Sequence, residues 1–325
     1  MISSNPEWYF IVNPRAGSGK TMSEWVPAEK KLEKLGIPYF TAYTDYKRHA
    51  TYLARKAASL GYRRICAVGG DGSVHEVMNG IISWCDENKV SPSEFCVAVA
   101  PIGSGNDWIK STGVPHDVSK VIDLISKESF MEADVVRVTC DEGKTCVMTN
   151  IGGVGFDSHV CERVNFQKER GKRSKRIYLT ALWHTAIGLR HLNVKVIADG
   201  TTVFDGQIYS LAIGNGRYSG SGLRQVPLAR LDDGLLDFTI VPRSTLLAIA
   251  GEVPKLLNGT LNESTKVICG QCRTLQVIPT KDDSYDIVEM DGEIEGKLPL
   301  LVELKGERIN VLTGLRKGFT KKKRG

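Results

Sequence analysis

Four apolar runs of strand length alternate with amphipathic helical runs through the first hundred residues. This rhythm constrains the fold more than any other feature. The strand-like runs are "WYFIV" from Trp8, "PYFTAYT" from Pro38, "RICAV" from Arg64 and "FCVAVAPI" from Phe95. Between them lie "EWVPAEKKLEKLG", "RHATYLARKAASLG" and "SVHEVMNGIISWC", with apolar residues at helical spacing. Two of these end in a glycine, Gly36 and Gly61, which suits a helix C-terminus. Strand and helix alternating in this way imply a parallel sheet covered by helices.

The rhythm changes near Asp134. From "ADVVRVTC" onward the chain shows short β-like runs and Asp-Gly turn signals, as in "VKVIADGTTVFDGQIYSLAIGNG", "LLDFTIVP", "TLQVIPT" and "LVELKGERINVL". Such alternation predicts antiparallel strands. Helical patterns interrupt them at about 174–190 and 244–258. At 325 residues, two domains are expected. The reading is an α/β domain over 1–134 and a β-rich domain over 135–309, with a tail of about 310–325 packing back on the first.

A composition of 42% hydrophobic and 25% charged residues supports a sizeable core. No apolar stretch reaches the ~18 residues that cross a bilayer. The start, "MISSNPEWYFIVNP", lacks a basic segment followed by an apolar one, so cytoplasmic residence is expected. The eight cysteines are scattered, mostly in strand-like runs, which fits reduced thiols. "CGQC" (269 to 272) has no second pair to complete a zinc site. The net charge of +6 concentrates in "QKERGKRSKR" (167 to 176) and "LRKGFTKKKRG" (315 to 325). No nucleic-acid motif accompanies these runs. An anionic membrane surface is the partner they suit, with a solvated tail as the plain alternative.

Three glycine-rich turns fall after predicted strands, where open parallel sheets bind ligands. They are "NPRAGSGKT" (13 to 21), Gly69-Gly70-Asp71-Gly72-Ser73 and "PIGSGND" (101 to 107). Glycine lets backbone N–H groups approach phosphate, and a helix N-terminus adds a favourable dipole. Three such turns in series point to a nucleotide triphosphate. Lys20, Asp71 and Asp107 then stand out as charged groups, with Asp71 reaching Mg²⁺ directly or through water. The first turn matches a P-loop only in part, because Pro14 stands where that motif has glycine. "HEVMN" (75 to 79) is not a zinc-protease motif, because Asn79 replaces the second histidine. The histidines, His75 included, read as structural or exposed.

These turns, together with "GGDGSVHEVMNG", "PIGSGNDW", "RLDDGLLDF" (230 to 238) and "MDGE" (290 to 293), resemble the diacylglycerol kinase catalytic-domain family. The likeness is strongest to the soluble bacterial lipid kinases, with sphingosine and ceramide kinases as relatives. One departure is Ser73 and Ser104, where the family often has Thr. The resemblance implies a Rossmann-like nucleotide-binding domain, then a β-sandwich, with the active site in the cleft between them. It implies ATP contacts at Asn13, Pro14, Arg15, Ala16, Gly17, Thr44, Gly70, Asp71, Gly72, Ser73, Val74, His75, Glu76, Ser104, Asn106 and Asp107. It implies a charged network of Lys20, Asp71 and Asp134 organising phosphate and Mg²⁺. Asp291 is implied as catalytic base with Glu293 close by. Asp233, with the carbonyls of Arg230 and Leu235, is implied as a second, structural metal site.

Phosphoryl transfer needs positioning, charge neutralisation and a proton acceptor. Asp291, in a tight turn after "DIVEM", suits the last role; a plain Asp-Gly hairpin corner is the bland alternative. The expected activity is an ATP- and Mg²⁺-dependent transfer to the hydroxyl of a diacylglycerol-like membrane lipid. Its alternatives are a sphingoid-base or ceramide-type kinase and a non-catalytic nucleotide-binding regulator. The expected partners are that lipid, an anionic membrane surface contacted peripherally, and a second copy of the chain in a homodimer; no nucleic acid is expected.

Overall fold

The computed structural model describes residues 5–103, 105–169, 181, 184–185, 191–220, 222–282 and 286–315. Ser104, most of the expected helix at 174–190, and the basic tail from 316 lie outside these residues. The chain divides into two compact units, Met1–Ala133 with Arg308–Gly325, and Asp134–Glu307.

The first unit follows the alternation. Strand β1 (Asn5–Val12) leads to α1 (Thr21–Lys34), β2 (Tyr39–Tyr43), α2 (His49–Ser59), β3 (Tyr62–Gly69), α3 (Asp71–Asn88) and β4 (Cys96–Pro101). β1 pairs in parallel with β2 and β3, and β3 with β4. Phe10, Ile65, Val68 and Val99 lie buried, as expected where helices cover both faces of a parallel sheet. Phe10 packs on Trp25 of α1, ring centroids 4.9 Å apart. Two further helices after β4, α4 (Asp107–Thr112) and α5 (Val118–Ser126), are not among those expected from the sequence pattern. A signal for α5 exists: the Asp117 side chain caps it by accepting from the Ser119 N–H at 2.9 Å, and Val118, Val121, Ile122 and Ile125 are buried at helical spacing. β5 (Phe130–Thr139) then runs through the residue where one unit gives way to the other.

The second unit pairs its described strands antiparallel, with helices between them. It holds β6 (Thr145–Met148), β7 (Ile151–Gly155), α6 (Phe156–Glu169), β8 (Leu192–Ala198), β9 (Thr201–Gly214), β10 (Leu236–Pro242), α7 (Leu246–Ala250), α8 (Val253–Asn258), β11 (Ile268–Cys272), β12 (Thr274–Pro279), β13 (Ile287–Met290) and β14 (Glu293–Lys297). Strand β15 (Leu300–Leu312) closes the series. The hydrogen-bonded order is β14-β13-β7-β9-β8-β12-β15, with β10 and β11 branching from β9. β8 and β9 meet at Asp199-Gly200, both at positive φ, the conformation an Asp-Gly hairpin turn supplies. Val154, Val194, Leu211, Phe238, Leu275 and Val302 form part of the core. At its far end β15 changes partner: Asn310 and Val311 pair in parallel with Cys96 and Val97 of β4. All eight cysteines are free thiols. No helix among the described residues is long and apolar enough to cross a membrane.

Candidate active site

In the first unit the three glycine turns converge. A Cβ on Gly17 (φ +55°) would lie 2.8 Å from Ile102 Cγ2; one on Gly69 would lie 2.3 Å from Ser73 Oγ and 3.5 Å from Asn13 Cβ. Only bare backbone fits. Between β1 and α1 the loop is fixed by Asn13, whose backbone N–H donates to Val68 at 3.0 Å and whose Oδ1 accepts from the Arg15 N–H at 3.0 Å. Pro14 and Arg15 form the turn, and Ala16–Gly19 coil in a single 3₁₀ turn before α1. Gly70 begins the 18-residue helix α3, so its N-terminal amides face the turns. Thr44, just after β2, donates its N–H to Val12 at 2.9 Å.

The Asp71 carboxylate has a task the sequence did not disclose. Its Oδ2 accepts from the Asp107 N–H at 2.9 Å and its Oδ1 from the Trp108 N–H at 3.1 Å. Those are the first amides of α4, which intrahelical bonding leaves free. Asp71 therefore ties the second glycine turn to the third. A carboxylate offers about four lone-pair sites, so these two bonds do not exhaust it. Lys20 is exposed at the N-cap position of α1. Asp107 is buried and ion-paired to Lys110 at 2.5 Å. Asn106, at φ +50° and buried, donates through Nδ2 to Gly103 at 3.1 Å while its Oδ1 stays unpartnered, 3.6 Å from where a Gly70 Cβ would be.

Other expected nucleotide contacts turn inward. Glu76 accepts from the Arg48 and Ala50 N–H groups, each at 3.0 Å, and so caps α2. Val74 is buried. His75 is buried too, not exposed, its Nε2 3.2 Å from Asn79 Nδ2. Ser73, Val74 and His75 are buried in the first turn of α3, while Gly70, Gly72 and Glu76 are half-buried. The bare turns and the α3 N-terminus suit a polyphosphate, and the orphaned Asn106 oxygen, an acceptor, suits a cation or a donor group beside it.

In the second unit Asp291 and Gly292 form the two-residue turn between β13 and β14, at φ +54° and +87°. Asp291 donates its N–H to Ile151 at 2.9 Å. Its Oδ2 accepts from the Thr149 N–H and its Oδ1 from the Asn150 N–H, both at 2.8 Å. The Gly292 N–H donates to Glu289, a buried carboxylate. Glu293 opens β14 directly after the turn. Sequence reading missed Thr149 and Asn150, since backbone donors leave no side-chain pattern.

Asp134, buried on β5, donates its N–H to Leu231 at 2.6 Å, and its Oδ2 accepts from the Gly234 N–H at 2.7 Å. It thus fixes the 230–235 loop. There Asp232 pairs with the Arg230 guanidinium at 3.0 Å, while Asp233 accepts from the Leu235 N–H at 3.2 Å. Burial pushes the Asp233 carboxyl up, and the Asp134 and Asp232 charges add to that. A carboxylate disfavoured by burial and by like charges is relieved by a cation. Among the described residues no three His, Cys, Asp or Glu side chains gather around a common metal position. Asp233 with the Arg230 and Leu235 carbonyls would leave several positions to water, a donor set that suits a hard oxygen-seeking ion. Adding Mg²⁺ to the nucleotide-free protein is expected to raise its melting temperature, and Asp233→Asn to remove that increment. Identical melting of the native protein with and without Mg²⁺ would exclude an ion here.

Comparison with known proteins matches two family models. Residues 7–138 match the diacylglycerol kinase catalytic domain, and residues 151–313 the YegS C-terminal NAD kinase beta sandwich-like domain. The chain is 25% identical over 303 residues to a protein from Mycobacterium tuberculosis named diacylglycerol kinase, covering 93% of each. It is 28% identical over 260 residues to a Xanthomonas campestris pv. campestris protein named "Probable lipid kinase YegS-like", covering 78% of this chain and 77% of that one. The crystal structure of a diacylglycerol kinase from Bacillus anthracis superposes with a TM-score of 0.70 at 22% identity, over 95% of this chain and 97% of that one. At that identity the likeness concerns the fold.

Proposed function

The chain belongs to the diacylglycerol kinase family, with that family's catalytic domain followed by the YegS-type β-sandwich-like domain, and on that premise we propose that it transfers the γ-phosphoryl group of ATP to the free hydroxyl of a diacylglycerol-like lipid. The observation that carries this reading is the cradle of the first unit, where three glycine-rich turns meet at the start of α3 and Asp71 locks two of them together.

In this reading the first unit holds the nucleotide. Backbone amides at Gly17, Gly70 and Gly72 receive phosphate oxygens, and the exposed Lys20 ammonium neutralises charge. The Asp71 carboxylate would hold Mg²⁺, directly or through water, and the ion would supply charge neutralisation at the phosphates. The second unit supplies the base. The Asp291 carboxylate takes the proton of the lipid hydroxyl, whose oxygen bonds to the γ-phosphorus as the bond to the β,γ-bridging oxygen breaks and ADP departs. Two backbone amides fix the carboxylate, and its lone-pair capacity exceeds those two bonds, so it can still take a proton.

A lipid acceptor requires contact with a bilayer. What supports such contact is the pair α7 and α8, which bury none of their residues. Leu247 is 84% exposed and Leu257 57%, with Leu246 and Val253 beside them in sequence. The one carboxylate between the helices, Glu252, is matched by Lys255 and Lys266, each 3.2 Å away. Arg243 and Arg224 flank the helices in sequence and in contact, the latter donating to Asn258 at 3.1 Å. An apolar tip with a cationic border suits an anionic leaflet. Burying one leucine is worth about 1.5–3 kcal/mol when complete. The double variant Leu247→Glu, Leu257→Glu is therefore expected to weaken binding to phosphatidylglycerol-containing vesicles about tenfold or more. Unchanged vesicle flotation would remove this surface from the reading.

The test of the function itself is incubation with γ-labelled ATP and a panel of a diacylglycerol, a ceramide and a sphingoid base, with and without Mg²⁺. Label in phosphatidate alone supports the proposal. Label in the sphingolipids redirects the acceptor, and nucleotide binding without any transfer identifies a regulator.

A further inference from the structure

We propose that helix α6 positions Asp291, acting through Asn165 and Cys161 on the carbonyl of Gly292; this rests on Asp291 being the base. The Asp291–Gly292 turn protrudes between two strands, and a Cβ added at Gly292 would meet nothing within 4 Å. Packing therefore does not hold the tip of the turn, and its orientation is left to hydrogen bonds. On one side the Glu289 carboxylate receives the Gly292 N–H. On the other, the Gly292 carbonyl accepts from two donors on α6, Asn165 Nδ2 at 2.9 Å and Cys161 Sγ at 3.0 Å.

Asn165 and Cys161 are one helical turn apart, so their side chains share a face. Asn165 Nδ2 also lies 3.4 Å from Cys161 Sγ, which aligns both on the same oxygen. A carbonyl has two lone pairs, and this one uses both. With its N–H and its C=O both held, the Gly292 backbone cannot swivel, and Asp291 one residue earlier is held with it. The helix is itself anchored at its start. Ser158 Oγ donates to Gly155 at 2.8 Å, and His159 Nε2 is 2.8 Å from Asp286, which directly precedes β13. α6 thus grips the β13–β14 hairpin at the base of β13 and at the tip of the turn.

The energetics separate positioning from mere stability. Losing one or two neutral hydrogen bonds at a partly exposed turn shifts the melting temperature by about 2–4 °C. Displacing a reacting group by about 1 Å costs on the order of 10²-fold in rate. The clasp should therefore show far more in turnover than in melting.

The experiment compares the double variant Asn165→Ala, Cys161→Ala with native protein, using a short-chain diacylglycerol in detergent micelles as acceptor. Turnover should fall about 10–100-fold, with the KM for ATP within about twofold and the melting temperature within a few degrees. Cys161→Ser, which keeps a donor, should recover the turnover lost in Cys161→Ala. Amide hydrogen exchange over residues 288–296 should quicken whatever the acceptor lipid. In an Asp291→Asn background the double variant should cause no further loss, because there is no base left to misplace. Unchanged exchange and turnover, or a loss fully additive to Asp291→Asn, would overturn the role of α6 alone. Native turnover in Asp291→Asn would instead overturn the base assignment, and this role with it.

Discussion

Replacing Asp291 with Asn is expected to lower turnover by about 10²–10⁴ while the protein stays folded and continues to bind ATP. The size follows from removing the proton acceptor. The persistence of the fold follows from the turn itself. Asn is among the few residues at ease at positive φ, so Asp291→Asn keeps the φ +54° conformation. One of the two amides, from Thr149 or Asn150, loses its acceptor, since the amide side chain has one oxygen where the carboxylate has two. A drop of a few degrees in melting temperature should accompany the kinetic loss. Asp291→Glu separates charge from position: it keeps a carboxylate but extends it by one methylene, and turnover should still fall. A folded Asp291→Asn protein with native turnover would take Asp291 out of the mechanism.

Asp71→Ala should act on structure and ligand together. It strips the acceptor from the Asp107 and Trp108 N–H groups, and each buried orphan costs about 1–3 kcal/mol. The nucleotide-free protein should melt at a clearly lower temperature, and the turn carrying Asn106 should loosen. The rise in melting temperature produced by Mg²⁺-ATP should shrink as well, because only binding to the folded form generates that rise. Measured with and without nucleotide by thermal melting, the two effects are separable. A lower nucleotide-free melting point with the full ATP increment would make Asp71 a purely structural tie. An unchanged protein on both counts would move the phosphate site away from α3.

The alternation of strands and helices was legible because burial on both sheet faces demands apolar runs, and "RICAV" and "FCVAVAPI" could be little else. The glycine turns were legible for a similar reason, since backbone that must approach phosphate or other backbone tolerates few residues. Partners made by backbone amides were not legible. The bonds from Asp71 to Asp107 and Trp108 left no trace in the sequence because both partners contribute only backbone N–H groups, which every residue except proline possesses. The bonds from Glu76 to Arg48 and Ala50 were equally hidden, because those partners lie more than twenty residues upstream. The α6 grip on Gly292 joins residues 127 and 131 positions apart, a separation at which sequence spacing carries no signal.

The last strand bears on how the polypeptide is made. β15 pairs with β12 over Leu300–Glu303, yet its far end, Asn310 and Val311, borders β4. Beyond it Thr313 bonds to Ser129 and Thr112. The first unit to leave the ribosome is thus the last to be finished: its parallel sheet lacks one border until residues after Arg308 emerge. At about 5–20 residues per second, the 175 positions from Ala133 to Arg308 take roughly 10–35 s to synthesise. During that interval the Cys96–Val97 edge of β4 is open to any passing strand. A nascent chain stalled before Arg308 should therefore be a client for chaperones, whereas the intervening unit can close on itself while still tethered.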